Sequence, residues 1–393
     1  MQGIMSDIEE DRYHDIRPYR DEEVRQVLER LGQSFELHRA LVSYRFARYP
    51  PWSQRLLARI VGWQLRRHFA PMTTVDAFQG WLKDWITDLI DSTTANVEVC
   101  GLDHLNQDQS YLWLSNHRDI AMDPTLIGYA LVSSGWPTAR IAIGDNLLAN
   151  PVLADLMRLN KSFIVKRSVA DRRTRLQEFQ KLSGYIRHSL EDGHSVWLAQ
   201  REGRAKDNLD HTDTAVLKML SLSGRDDRLN FAETMQRLRP VPVLVQYEWD
   251  PCDVLKAREL VALEENGVYK KSEGEDTHSI LLGMKGQKGN IRICFGRPLA
   301  MADMQDASMM AAATDQEIDQ MKKLFPVNYA ALRLLQSEHQ LYQNLHWQCP
   351  VDMELPLNEL SMRCSGEPAA VRIRMLKTYA AALISRLSRT SDE

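Results

Sequence analysis

Long hydrophobic runs are absent from the 393 residues: nothing approaches the roughly 18 consecutive apolar residues that a membrane-spanning helix requires. Cysteine is scarce. The five present (Cys100, Cys252, Cys294, Cys349 and Cys364) are scattered and odd in number, so they read as reduced thiols in a cytosolic setting, with neither a zinc site nor a disulfide framework. The acidic opening residues contain no apolar segment, so no secretory signal is expected. Positive charge is not in excess: 49 Lys and Arg against 53 Asp and Glu leave a net charge of -4, which argues against a nucleic-acid binder. No Gly-x-Ser-x-Gly elbow occurs, so no serine nucleophile is set up in the usual strand-to-helix turn. No His-x-x-x-His or Cys-x-x-Cys spacing supports a metal site. What remains, 44% hydrophobic and 26% charged, is the balance of a globular chain with a sizeable core.

Three parts follow one another: a helical region over 1–95, alternating strands and helices over 96–300, and a second helical region over 301–393. The first holds an unusual window. From Leu37 to Val75 there is no acid, but there are seven arginines, among them Arg55, Arg59, Arg66 and Arg67, with Trp52 and Trp63 interleaved. A second stripe follows with Phe78, Trp81, Trp85, Leu89 and Ile90 at helical spacing. Two readings stand: an interfacial helix pair on an anionic membrane, where each Lys or Arg near the surface is worth about 1 kcal/mol, or an ordinary helical subdomain with solvated arginines.

The middle part has strand candidates at 96–100, 111–115, 140–143, 162–166, 195–199, 241–248 and 290–295, with helical segments between most of them. Crossover connections of that kind imply an α/β fold with a mixed, largely parallel sheet. The series Gly283, Gly286, Gly289 reads as a hairpin loop, since it lacks the Lys-Ser/Thr of a phosphate-binding loop.

The stretch Ser115 to Pro124 carries the most chemistry. A strand runs into Asn116-His117, and Asp123-Pro124 opens a helix with Asp123 as its expected N-cap. A histidine at the exit of a sheet strand, with an acid nearby to hold its tautomer, is the base half of a catalytic triad without its nucleophile. The hydroxyl or amine it activates would then belong to a substrate. A kinase-like reading of His117-Arg118-Asp119 fails, because Pro124 stands where that motif needs Asn. Two later strands also end in charge: Phe163 to Lys166-Arg167, and Trp197 to Arg201-Glu202-Gly203-Arg204-Ala205-Lys206. Parallel strands put such ends on one side of a sheet, and a cluster of Lys and Arg there suits a phosphate. The fourth stretch, Val241-Pro242-Val243, reads as a buried strand.

In this order and spacing the four stretches resemble the glycerolipid acyltransferase family, which includes glycerol-3-phosphate and 1-acyl-glycerol-3-phosphate acyltransferases. The resemblance covers roughly residues 96–300 and implies an acyltransferase-type sheet. It further implies His117 as general base with Asp123 as its orienter, and Lys166, Arg167, Glu202, Gly203 and Arg204 as the binders of the acceptor's phosphate and glycerol. The donor would be acyl-CoA or acyl-carrier protein and the acceptor a glycerophospholipid-type hydroxyl, in phospholipid biosynthesis. No cofactor or metal is implied, and the enzyme would sit on the inner face of the cell membrane. Two departures stand out. The family spacing is His-x4-Asp, whereas position 122 is Met; the acid falls one residue late at Asp123, with Asp119 as the alternative. The third block reads Glu-Gly-Arg-Ala-Lys, which leaves a different lipid or amino-lipid acceptor open. A non-catalytic lipid-binding protein on the same fold and a thioesterase are the remaining alternatives.

Overall fold

The computed structural model describes residues 12–46, 48–272, 274–348 and 352–390. The acidic opening segment and Cys349 lie outside them. Seven strands form a mixed, largely parallel sheet: β1 (Asn96–Cys100), β2 (Leu112–Ser115), β3 (Arg140–Gly144), β4 (Ser162–Val165), β5 (Val196–Ala199), β6 (Pro240–Tyr247) and β7 (Asn290–Phe295), in the order β1-β7-β6-β2-β5-β3-β4. The pairs β1/β7, β2/β6, β3/β4 and β3/β5 are parallel, and β6/β7 is antiparallel. By internal contacts the chain divides into two units, each assembled from separated segments.

The first unit comprises residues 1–87, 138–197 and 219–228. Helix α1 (Asp21–Gln33) starts with three acids in its first turn, which suit the positive end of a helix, and buries Val24, Val27, Leu28 and Leu31 at i, i+3, i+4, i+7 spacing. These pack with Leu65, Phe69 and Phe78 in one cluster. Leu37 of α2 (Phe35–Arg45) joins them. Helix α3 (Pro51–Phe69) begins with proline at its first position, where the missing N–H costs nothing. It buries Ala58, Gly62, Leu65 and Phe69, but leaves Trp52, Leu56, Ile60 and Trp63 exposed. Helix α4 (Val75–Thr93) differs from the expected interfacial pair: Phe78, Leu89 and Ile90 of its apolar stripe are buried. The membrane reading therefore narrows to α3.

The second unit comprises residues 88–137, 198–218 and 229–393. Its strand β6 is buried along its first six residues, as a β-branched central strand should be. Helix α5 (Met122–Ser133) follows β2, and α6 (Pro151–Leu159), α7 (Arg172–Glu191), α8 (Thr214–Leu220) and α9 (Phe231–Leu238) come later in the chain, before β6. Beyond β6 come α10 (Asp253–Asn266) and α11 (Glu275–Lys285), and Gly283 lies inside α11. The expected hairpin is therefore not present: two helices fill the connection, and Gly289, at φ 63°, makes the turn into β7. In the C-terminal region, α12 (Ala307–Met321) precedes three more helices. These are α13 (Pro326–Glu338), α14 (Glu354–Cys364) and α15 (Ala369–Thr390), which share a core built on Leu332, Leu335, Leu360, Met375 and Leu383.

One cysteine expectation is overturned. The β1/β7 register sets Cys100 opposite Cys294 with their Cα atoms 4.7 Å apart, and the two form a disulfide. A sequence separation of 194 hides this pairing. Cys252 and Cys364 are buried free thiols. No helix among the described residues is long and apolar enough to cross a membrane.

Candidate functional site

The site grows from the end of β2, within the second unit. After Ser115 the chain leaves the sheet, and the Asn116 side chain makes the last rung in its place. Its Nδ2 donates to the Val245 carbonyl at 3.1 Å and its Oδ1 accepts the Val245 N–H at 2.8 Å. That fixes the backbone one residue before His117. The imidazole Nδ1 lies 2.8 Å from Asp123 Oδ2. A neutral ring that gives its Nδ1 proton to Asp123 accepts protons at Nε2. The His117 side chain is 15% exposed, so the ring has solvent access, whereas Asp123 is fully buried.

Asp123 is held by more than the histidine. Its Oδ2 also accepts the backbone N–H of Arg118 at 2.5 Å and of Asp119 at 2.9 Å. Its Oδ1 accepts Tyr247 Oη at 2.6 Å. Burial alone would raise this carboxyl, but the hydrogen bonds from His117 and Tyr247 and the pull of His117 hold it below the usual range. The carboxylate thus folds the turn back onto itself and does not cap α5. Capping falls to Asp119, whose Oδ1 accepts the N–H of Ala121 at 3.0 Å and of Met122 at 2.8 Å. The expected N-cap at Asp123 is corrected accordingly: a carboxylate committed to His117 is not available to the helix start, and the acid four residues earlier takes that place. Burial, then the charge of Asp123, push the Asp119 carboxyl up. Its other oxygen leaves no room on α11: a Cβ at Gly283 would stand 2.1 Å from Asp119 Oδ2.

Arg118 serves the scaffold. Its Nη2 donates to Asp210 Oδ2 at 2.8 Å, and Asp210 also takes Lys322 at 3.0 Å. Burial opposes ionisation of Asp210, and Arg118 and Lys322 together outweigh it, holding the carboxyl low. The buried Lys256 donates to the Arg118 carbonyl at 2.7 Å and pairs with Asp250.

The third sequence block lies alongside. Gln200 N–H donates to the Ser115 carbonyl at 2.8 Å, and Ala205 N–H donates to the His117 carbonyl at 2.7 Å. The Glu202-Gly203-Arg204 turn between them is thereby anchored beside His117, with Gly203 at φ 76°, a backbone state that favours glycine. Arg204 is half-buried, and its Nη1 is buried with no hydrogen-bond partner among the described residues. A guanidinium donor left without an acceptor in such a place suits an anionic oxygen from a ligand.

Lys166 and Arg167 belong to the first unit. Lys166 Nζ pairs with Asp15 at 2.5 Å and Glu178 at 3.2 Å. Burial would lower this ammonium, and those two carboxylates raise it instead. The Arg167 N–H donates to Asp145 Oδ2 at 3.2 Å. Sequence reasoning missed Tyr247, Asp210 and Lys256. Tyr247 carried a faint signal, a polar residue closing an otherwise apolar strand. Asp210 and Lys256 lie in segments with no motif at all. No group of three or more His, Cys, Asp or Glu among the described residues is placed to hold a metal ion.

Comparison with known proteins gives a family for this region: residues 96–229 match the Acyltransferase family. Among solved structures the chain is similar to the 1-acyl-sn-glycerophosphate (LPA) acyltransferase PlsC from Thermotoga maritima. The identity is 13% and the TM-score 0.40, over 76% of this chain and 96% of that one. No curated protein matches.

Proposed function

We propose, from the acyltransferase-family domain at residues 96–229, that this enzyme moves a fatty acyl group from acyl-CoA or acyl-carrier protein to a hydroxyl of glycerol-3-phosphate or 1-acyl-glycerol-3-phosphate. The observation that carries the proposal is the 2.8 Å contact of His117 Nδ1 with a buried, multiply bonded Asp123. A ring whose Nδ1 is held by a carboxylate takes a proton at Nε2.

In the proposed reaction His117 Nε2 removes the acceptor's hydroxyl proton as the oxygen attacks the thioester carbonyl. The tetrahedral intermediate collapses, the carbon–sulfur bond breaks, and the departing thiolate takes the proton back from His117. Asp123 holds the ring and stabilises the imidazolium between the two steps. The Arg204 Nη1, without a hydrogen-bond partner among the described residues and on a turn whose backbone is tied to the His117 carbonyl through Ala205, supports a phosphate contact at the Glu202-Gly203-Arg204 turn. The family resemblance also assigns phosphate contacts to Lys166 and Arg167. Lys166 already carries Asp15 and Glu178, so Arg204 is the cation on which acceptor binding rests.

Helix α3 supports work at a membrane surface. At 3.6 residues per turn, Trp52, Leu56, Ile60 and Trp63 fall on one exposed face, with Arg55, Arg59 and Arg66 along its edge. Tryptophan beside arginine fits an anionic headgroup layer.

The test is transfer of labelled acyl groups from each donor to a panel of acceptors, with products identified by mass. Glycerol-3-phosphate or its 1-acyl derivative should take the label, and His117→Ala should slow transfer by roughly 100- to 10,000-fold. Loss of thioester at the same rate without any acceptor would assign hydrolysis instead. Full activity in His117→Ala would end the proposal.

A further inference from the structure

The first unit contains a cavity of about 260 Å³ that shares no residue with the His117 turn. It opens at the N-terminal ends of three parallel strands, marked by Arg140 at the start of β3, Lys161 just before β4 and His194 just before β5. Two helices also begin on it: Arg20 and Asp21 belong to the start of α1, and Val75 and Asp76 to the start of α4. Helix starts carry partial positive charge and attract anions.

The lining is rich in hydrogen-bond donors. Arg17, Arg20, Arg140 and Lys161 face Asp21 and Asp76 as the lining carboxylates. Asp21 Oδ1 is occupied by the Val75 N–H at 2.8 Å. Asp76 pairs with Lys161 at 3.0 Å, but its side chain is 85% exposed, so water screens the pair. Arg140 reaches Ser189 Oγ at 2.9 Å, and its nearest carboxylate, Asp192, is 3.6 Å away. Arg17 is nine-tenths buried. Its Nη1 bonds Glu23 at 2.6 Å, yet its Nε is buried with no partner among the described residues. A buried guanidinium donor without an acceptor is costly, and an anion bound by Arg17 would offset that cost. Burial, then the charge of Arg140, push His194 down to about 4, so the ring is neutral at ordinary pH and accepts or donates without adding charge.

We infer that this cavity binds the phosphate group of a small phosphate monoester. Its volume lies just under the roughly 300–1,000 Å³ of most small-molecule sites, which suits a single phosphorylated metabolite or a phosphatidate headgroup.

The experiment uses the full chain and two probes. Inorganic phosphate, titrated by calorimetry, should bind saturably, and Lys161→Gln and Arg140→Gln should each weaken it roughly tenfold, the loss of one charge-assisted contact. Arg204→Gln should leave this binding event in place, which separates it from any phosphate held at the His117 site. Sedimentation with phosphatidylcholine vesicles, with and without phosphatidate, identifies the source. Phosphatidate-dependent binding lost in the same two variants assigns the lipid headgroup, and vesicle binding unchanged in them while free phosphate is lost assigns a soluble ester. Thermal melts establish that each variant is folded, and Arg20→Gln replaces any that is not. If folded variants bind both phosphate and phosphatidate vesicles as well as the parent does, or if the parent binds neither, the inference is overturned.

Discussion

Tyr247 Oη donates a 2.6 Å hydrogen bond to Asp123 Oδ1, the carboxylate oxygen that His117 does not use. The phenol comes from the end of β6 and the acid from the first turn of α5, so two elements meet on one carboxylate. Burial, then the Asp123 charge, raise the Tyr247 hydroxyl far above its ordinary value, so it stays a donor at any working pH. Tyr247→Phe removes one donor without changing the ring. The expected outcome is a fall in kcat of roughly 10- to 100-fold, the usual effect of removing a supporting hydrogen bond behind a reacting group, with little change in the KM of the acyl donor. Steady-state kinetics checks it, and an unchanged kcat would show that the bond is idle.

Asp210 sits between Arg118 at 2.8 Å and Lys322 at 3.0 Å. Asp210→Ala leaves the buried Arg118 without its acid, which should destabilise the chain by about 3–5 kcal/mol. Urea unfolding measures it. A change below about 1 kcal/mol would mean that water replaces the carboxylate, a result at odds with the burial of Arg118 and Asp210.

Lys288 is fully buried, and its Nζ donates to Thr93 Oγ1 at 3.0 Å and to the Gly286 carbonyl at 2.9 Å. Burial lowers its ammonium to about 8. In the unfolded chain the same group titrates near its ordinary value of about 10.4. Between those two values the unfolded state binds more protons, so stability should rise as pH climbs from about 8 to about 10.4, and should not respond to this group below that window. The slope should vanish in Lys288→Met. Denaturant midpoints of both proteins across pH 7 to 10.5 are the measurement; identical slopes would contradict it.

The exposed face of α3 predicts a charge-dependent affinity for membranes. Reversing two arginines, Arg55→Glu with Arg59→Glu, should weaken binding to anionic vesicles by at least tenfold per residue, given about 1 kcal/mol for each charge removed and a comparable repulsion for each one added. Trp52→Ala with Trp63→Ala should weaken binding to anionic and neutral vesicles alike. Vesicle sedimentation distinguishes the two, and equal binding by all variants would leave this face without a membrane role.

Most of the sheet could be read directly from the chain, because each strand is a short apolar run ending in polar residues, and the period of two or the unbroken β-branched run survives whatever surrounds it. The His117–Asp123 contact was also within reach, since both residues flank one strand-to-helix turn. What stayed hidden is long-range. Tyr247 reaches Asp123 only because β6 lies next to β2, and Cys100 meets Cys294 only through the β1/β7 register. That the helix start is capped by Asp119 and not by Asp123 stays hidden for a local reason: Asp-Pro is a strong helix-start signal, and it does not reveal that the carboxylate is already taken by an imidazole. The second amphipathic stripe, in α4, has helical apolar spacing like that of α3, and its burial distinguishes it from α3.

Gly283 reads in the sequence as part of a loop, yet in α11 a Cβ at this position would stand 2.1 Å from Asp119 Oδ2. Even an alanine there would have to displace the carboxylate that seats the first turn of α5, and with it the acid that steers the imidazole. Tolerance to substitution at this position should accordingly follow catalytic competence and not helix propensity. By propensity alone, alanine would be the better choice inside α11.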